Sequence, residues 1–293
     1  MQLLTSLIFN QHNYNMSMIS VIIPLYNKEH FVKNTIESVL SQTYNDFELI
    51  IVNDGSTDNS ANIVSRFDDP RIILINQKNA GVSAARNHGL RIAKGNYISL
   101  LDADDTWHSG FLEAMFKLTQ QYPQESVFGA AQENRPINTL PSGVSIIKDF
   151  CSYFYCFCTG SLVFKKEVFE RVGFFKQNIQ IGEDFDMWLR ISCHYNYVYL
   201  NEPFLIHPIV TENNLSLIRD ISKTYPFWEW YSYPYTPKTS LYRYTTDRIV
   251  CTASRLIKER RFSEALTLLM KSRGFTALWP RMYLLFKILV KKS

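Results

Sequence analysis

Between residues 19 and 101, short β-branched apolar runs alternate with stretches of helical spacing, and a polar cluster follows three of the four runs. The first run, ISVIIP at 19–24, is apolar throughout, as a strand buried on both faces requires. Residues 28–41 then carry Phe31, Val32, Ile36, Val39 and Leu40 at helical spacing. FELIIV at 47–52 is the second run, closed by Asn53-Asp54-Gly55-Ser56. Thr57 or Asp58 can cap a helix running to about residue 67. A third strand is expected at 71–76, a helix at 81–93, and a fourth strand at 97–101 that ends on Asp102-Ala103-Asp104-Asp105. Alternation of this kind predicts an α/β fold whose mostly parallel sheet is flanked by helices. Ligands of such sheets bind beyond the carboxyl ends of the strands. Tyr26-Asn27, Asp54 and Asp102-Ala103-Asp104 occupy those ends.

After residue 109 the pattern loosens. A helix is expected to residue 122, strands near 127–131, 161–164 and 197–200, and a short helix at 166–172. Glu183-Asp184 opens another helix through Trp188, Leu189 and Ile191, and residues 248–270 read as helical. The chain is therefore divided into a dispensable leader (1–18), a first half (19–118), a second half (119–216), and an aromatic strap with a basic amphipathic helical tail (217–293).

Charge sharpens this division. The net charge is +4, yet residues 255–293 hold ten Lys/Arg against two Glu, a local +8 that leaves −4 for the rest. The tail segment LWPRMYLLFKILVKK mixes aromatic, aliphatic and basic residues, the composition of a helix lying in a membrane interface or packed on a domain. The leader lacks the basic start of a signal peptide, and no run reaches the length of a spanning helix. The five cysteines form no zinc spacing and read as reduced thiols, which fits a cytoplasmic protein, free or peripheral on the inner face of the membrane. No GxGxxG follows the first strand, which argues against a dinucleotide oxidoreductase, and no nucleic-acid partner is expected.

Carboxylates as close as Asp102 and Asp104 repel one another unless a cation or a proton holds them together. A hard divalent ion sharing them with diphosphate oxygens is the usual solution. Asp105 reads as a cap for the helix after Trp107. Asp54 can accept a base imide N–H and so read uracil, or start the following helix as an Asx-turn residue. Tyr26 can stack on a nucleobase or pack. Residues 79–87 (NAGVSAARN) open a helix, where backbone amides favour anions and Arg86 can reach phosphate or the acidic cluster. Asp184 is the candidate base, and an acid favoured by the helix dipole is its plainer reading.

VIIPLYNKE, VNDGSTDNS, NAGVSAARNHGL and SLLDADD, in this order, resemble the family 2 glycosyltransferases of GT-A fold, strongly over 19–118 and more weakly to 216. The resemblance implies an inverting enzyme of bacterial surface-polysaccharide type. It would move one sugar, a hexose or N-acetylhexosamine, from a nucleotide diphosphate-sugar, often UDP-linked, to a glycan or lipid-linked glycan, with Mn2+ or Mg2+. It further implies that Pro24, Tyr26, Glu29 and Asp54 face the nucleotide and that Arg86 supports it. Asp102 and Ala103 would lie near ribose or metal, and Asp104 with Asp102 would ligate the metal. Asp184 would be the catalytic base and Glu183 an acceptor-side or supporting group. Relatives often carry Tyr-Arg-x-His before an Asn-Ser-Leu-Ser-like stretch. Here Pro208-Ile209-Val210-Thr211 stands in that place and His207 is out of register, so no histidine ligand is assigned. The QxxRW motif of processive synthases is absent, which favours single transfer. Alternatives are an inert nucleotide-sugar-binding subunit and a DxDxT phosphatase with Asp102 as nucleophile.

Overall fold

A computed structural model describes residues 18–133, 139–207, 234 and 238–271. The expected leader, the Asn213–Ser216 stretch, most of the aromatic strap and the tail beyond 271 lie outside these residues. The chain divides into two compact units, Met1–Ile218 and Arg219–Ser293.

The first unit opens with the expected alternation. In order come β1 (Ile19–Leu25), α1 (Val32–Leu40), β2 (Phe47–Asp54), α2 (Ser60–Val64), β3 (Ile72–Gln77), α3 (Val82–Ile92) and β4 (Tyr97–Leu100). These four strands lie in the order β3-β2-β1-β4 and are all parallel. β1 and β2 are buried along their whole lengths, which is why they read as unbroken apolar runs. Pro24 fits a central strand here because β4 pairs with β1 only as far as Leu100, opposite Ile22. The carbonyl of Ile22 takes the N–H of Leu101, so Pro24, two residues on, points the same way past the end of that ladder. Helix α3 lies close on β1 because Gly89 has no side chain: a Cβ there would sit 2.4 Å from Cγ2 of Ile22.

The second stretch adds β5 (Thr106–Trp107), α4 (Phe111–Gln121), β6 (Val127–Gln132), β7 (Val144–Ile147), α5 (Phe150–Tyr153), β8 (Leu162–Lys165), α6 (Glu167–Val172), α7 (Glu183–Ser192) and β9 (Tyr197–Ile206). β8 pairs antiparallel with β4, so residues on both sides of 118 share one sheet, in the order β3-β2-β1-β4-β8-β6-β9-β5 with β7 on β9. The fold is GT-A: an α/β sheet, parallel over β1 to β4, mixed beyond them and flanked by helices, with a helical C-terminal extension.

Two expectations need correction. Residues 248–270 are not one helix. α8 (Lys238–Lys258) and α9 (Phe262–Lys271) are separated at Arg260, whose φ of 60° no right-handed helix contains. Arg261 then pairs with Glu264 and Glu259 across the break. Asp105 is no helix cap either: α4 begins after Gly110, and Asp105 is buried elsewhere. None of the five cysteines is in a disulfide, and Cys251 is exposed. Among the described residues no helix is long and apolar enough to cross a membrane.

Candidate active site at the carboxyl edge of the parallel strands

Four loops meet where β1 to β4 end. After β1, Asn27 turns back with a φ of 50°, and its side chain bonds the backbone and hydroxyl of Thr57. This ties the β1 loop to the β2 loop. Glu29 completes the tie by reciprocal bonds: its N–H donates to Asp58 Oδ2 (3.1 Å) and its Oε2 accepts from Asn59 N (2.9 Å). Asp58 also accepts from Ser60 N, an Asx-type bond just before α2; the N-cap itself is Asn59, not Thr57 or Asp58, and it makes no side-chain cap bond. Tyr26, between these anchors, is 43% exposed.

Asn53, not Asp54, makes the Asx turn after β2, its Oδ1 accepting Ser56 N at 3.1 Å. Asp54 is only 3% exposed and reaches sideways to the β3 loop. Its Oδ1 takes Gln77 Nε2 (2.8 Å) and Ala80 N (2.9 Å), and Oδ2 takes Gly81 N (2.8 Å). These bonds hold the glycine, at a φ of 91°, that lets the chain turn into α3. An acceptor position on Oδ2 remains for a ligand N–H.

The acidic turn after β4 is paired carboxylate by carboxylate. Asp104 Oδ2 lies 2.6 Å from Lys28 Nζ, both largely covered. Asp102, 37% exposed at its side chain, accepts Arg86 Nη2 at 2.7 Å. Arg86 Nη1 reaches Glu183 at 2.8 Å, so one buried guanidinium joins α3, the β4 turn and the start of α7. Burial works against that charge, but the flanking Asp102 and Glu183 outweigh it and raise the pKa of Arg86 further. Ala103 packs into the core, and its carbonyl accepts the hydroxyl of Thr35. Asp105 points inward to His207, whose Nδ1 lies 2.6 Å away. Burial raises Asp105 to about 6. Burial opposes charge on His207 as well, but the bond to Asp105 prevails and lifts it to about 10, so the two form an ion pair at neutral pH.

Asp184 differs from its neighbours. Its Oδ1 accepts Phe185 N at 2.8 Å, and among the described residues no cation stands within ion-pair distance of it. Though its surface is only partly covered, the protein packed around the carboxyl strips it of solvent. That burial, with the adjacent charge of Glu183, pushes its pKa up to about 7, against the pull of Arg86. A carboxyl balanced near neutrality close to Glu183 and Asp102 is what proton transfer calls for.

Asp102 and Asp104 offer hard oxygen donors on one turn. Among the described residues, no three His, Cys, Asp or Glu side chains gather closely enough to hold an ion unaided. The donor set therefore fits a divalent cation that shares its shell with a ligand's oxygens, and does not fit an all-protein cage. Sequence reasoning missed Lys28, the partnership of Asp105 with His207, and the two reciprocal hydrogen bonds between the Asn87 amide and the backbone of Phe175. Lys28 was visible beside Tyr26. The others join residues about 90 to 100 positions apart, and no local pattern records them.

The family model described as glycosyl transferase family 2 matches residues 20–174, more than half of the chain. Glycosyltransferase GlyA of Streptococcus pneumoniae is 42% identical over 113 residues, 38% of this chain and 16% of GlyA. The uncharacterized glycosyltransferase EpsJ of Bacillus subtilis is 32% identical over 185 residues, 57% of this chain and 54% of EpsJ. The chain thus spans about half of one relative and far less of the other. Among solved structures, S. aureus TarS 1-349 in complex with UDP-GlcNAc superposes with a TM-score of 0.61 at 14% identity, covering 93% of this chain and 71% of that one. That likeness is one of fold. With the family model matching from β1 through α6, the chain belongs to glycosyl transferase family 2.

Proposed function

We propose that this protein is an inverting glycosyltransferase that moves one sugar from a nucleotide diphosphate-sugar, UDP-linked, to an acceptor hydroxyl. The observation that carries the reading is the meeting of Asp102, Asp104, Arg86, Glu183 and Asp184 at one edge of the sheet. In this reading Tyr26 stacks on the base, Pro24 and Glu29 shape the loop beneath it, and Asp54 holds the 79–81 turn and takes a base N–H. Asp102 and Asp104 hold Mg2+ or Mn2+, with Ala103 between them, and the bound ion supplies charge stabilisation to the leaving diphosphate. Asp184 accepts the acceptor's proton as that oxygen bonds the anomeric carbon from the face opposite the departing diphosphate. One bond forms, one breaks, and the configuration inverts.

Calorimetry with UDP, GDP and CDP in the presence of Mn2+ tests the donor side. UDP is expected to bind best, and Tyr26→Ala to weaken it by about 1–3 kcal/mol, the worth of one stacked base. Equal binding of all three, unchanged in the variant, would remove Tyr26 and Asp54 from the reading.

A glycan or lipid-linked glycan of a surface polysaccharide is the acceptor class we favour, on the strength of the basic, aromatic composition of residues 278–292. A chain truncated after Gly274 should then lose its affinity for anionic phospholipid vesicles. Equal vesicle binding by both forms would exclude the tail as the attachment.

A further inference from the structure

Asp102-Ala103-Asp104-Asp105 puts three carboxylates into four residues, and the proposed reading uses only the first two. The third turns the other way. Asp105 is 4% exposed, and its Oδ1 meets His207 Nδ1 at 2.6 Å. The opposite ring nitrogen, Nε2, lies 3.1 Å from Gln132 Oε1. Gln132 is 2% exposed, and its amide donates to the carbonyl of Cys156. Both nitrogens of His207 are therefore engaged by protein, which leaves the ring without a free lone pair for a ligand.

The backbone repeats the same connection. The 102–105 turn is closed by Asp105 N to Asp102 O at 3.0 Å. Directly after it, Thr106 and Trp107 pair with Ile206 and Leu205 of β9, and His108 N donates to Phe204 O. The last residues of β9 are thus laid along the acidic turn, and His207 is the side chain that grips it. A buried aspartate without this partner would lose its compensation, and the turn that carries it would lose the contact that holds it in place.

We infer that His207 is a positioning residue: through Asp105, and seated on Gln132, it fixes the rotation of the 102–105 turn and so the direction of the Asp104 carboxylate. This rests on the reading of Asp104 as a metal ligand. Residues that orient a ligand from behind typically alter metal affinity by about 10- to 100-fold when removed.

The test is Mn2+ binding followed by electron paramagnetic resonance in the presence of UDP, for the full chain and four variants. His207→Ala should weaken Mn2+ binding at least about tenfold, whereas His207→Gln, which keeps a donor for Asp105, should recover most of it. Asp105→Asn with His207→Ala should be no weaker than His207→Ala alone, because the two act as one unit. Thermal unfolding separates a general loss of fold from a loss of aim, and a folded His207→Ala with weakened Mn2+ binding supports the inference. If His207→Ala binds Mn2+ as the parent does while Asp104→Ala loses it, the positioning role is wrong and the metal reading stands. If the parent and Asp104→Ala bind Mn2+ and UDP identically, the metal reading fails and the inference falls with it.

Discussion

Asp184→Asn is expected to lower turnover by about 10²- to 10⁴-fold, the usual contribution of a positioned base, and to leave nucleotide affinity nearly unchanged. The expectation follows from the state of this carboxyl and not from its place in a motif. Desolvation, with the charge of Glu183 beside it, holds its pKa at about 7, against 3.8 for an exposed aspartate. The parent's kcat/KM should therefore rise with pH, bend near 7 and level above it, as more of the carboxyl becomes a competent base. The sign for stability is opposite. A pKa raised by folding means that the folded state holds this proton more tightly, so the group's favourable contribution is full below about 3.8 and is lost as pH rises through 7. Above that range the ionised carboxylate is a burden on the fold. Asp184→Asn removes the burden, so at pH 8 the variant should unfold no earlier than the parent while turning over far less. A variant that retains more than a tenth of parental turnover would take the base role from Asp184.

Arg86→Met should cost about 3–5 kcal/mol of folding stability, the penalty for stripping a buried ion pair of one partner. Its guanidinium serves Asp102 through Nη2 and Glu183 through Nη1, at 2.7 and 2.8 Å. Deleting it leaves the carboxylates of Asp102 and Glu183 without this shared cation, and Asp184 without the guanidinium that draws its pKa down, so the loss should grow as pH rises and Asp184 ionises. Lysine is a poor substitute, because one ammonium cannot span two acids with separate parallel donors. Arg86→Lys is therefore expected to recover part of the stability and little of the donor turnover. Urea unfolding of the two variants reads this directly. A loss under about 1 kcal/mol for Arg86→Met would mean that the guanidinium carries no more than a surface pair does.

The legible part of this protein is the part where pattern and neighbourhood coincide. β1 to β4 are parallel, and all but the partly covered edge strand β3 are fully buried, so they read as mainly apolar runs with a helix before the next, and their carboxyl ends could be marked on the sequence. β5 and β7 were not legible. One has two residues, the other four with mixed burial, and both owe their existence to pairing with β9. The break between α8 and α9 falls on an arginine in a left-handed conformation, where a glycine would have been the signal. Within the site, the residue types and their gathering at one edge could be anticipated. The pairings could not, since Arg86 meets Glu183 and Asp105 meets His207 only after β8, β6 and β9 have been inserted beside β4. Asp54 shows the limit most plainly. Its position at the end of β2 was apparent, but its bonds to Ala80 and Gly81 depend on how far β3 extends beside it.

The central claim is that a nucleotide diphosphate-sugar is held at this edge with a metal on Asp104. The most direct measurement is donor hydrolysis and thermal shift across a panel of nucleotide-sugars, with and without Mn2+, for the parent and Asp104→Ala. One donor is expected to stabilise the parent and to be hydrolysed by it only when metal is present, and Asp104→Ala to lose both effects. If no nucleotide-sugar binds the folded parent with or without metal, the account is contradicted, and phosphate esters that could engage Asp102 become the next substrates to try.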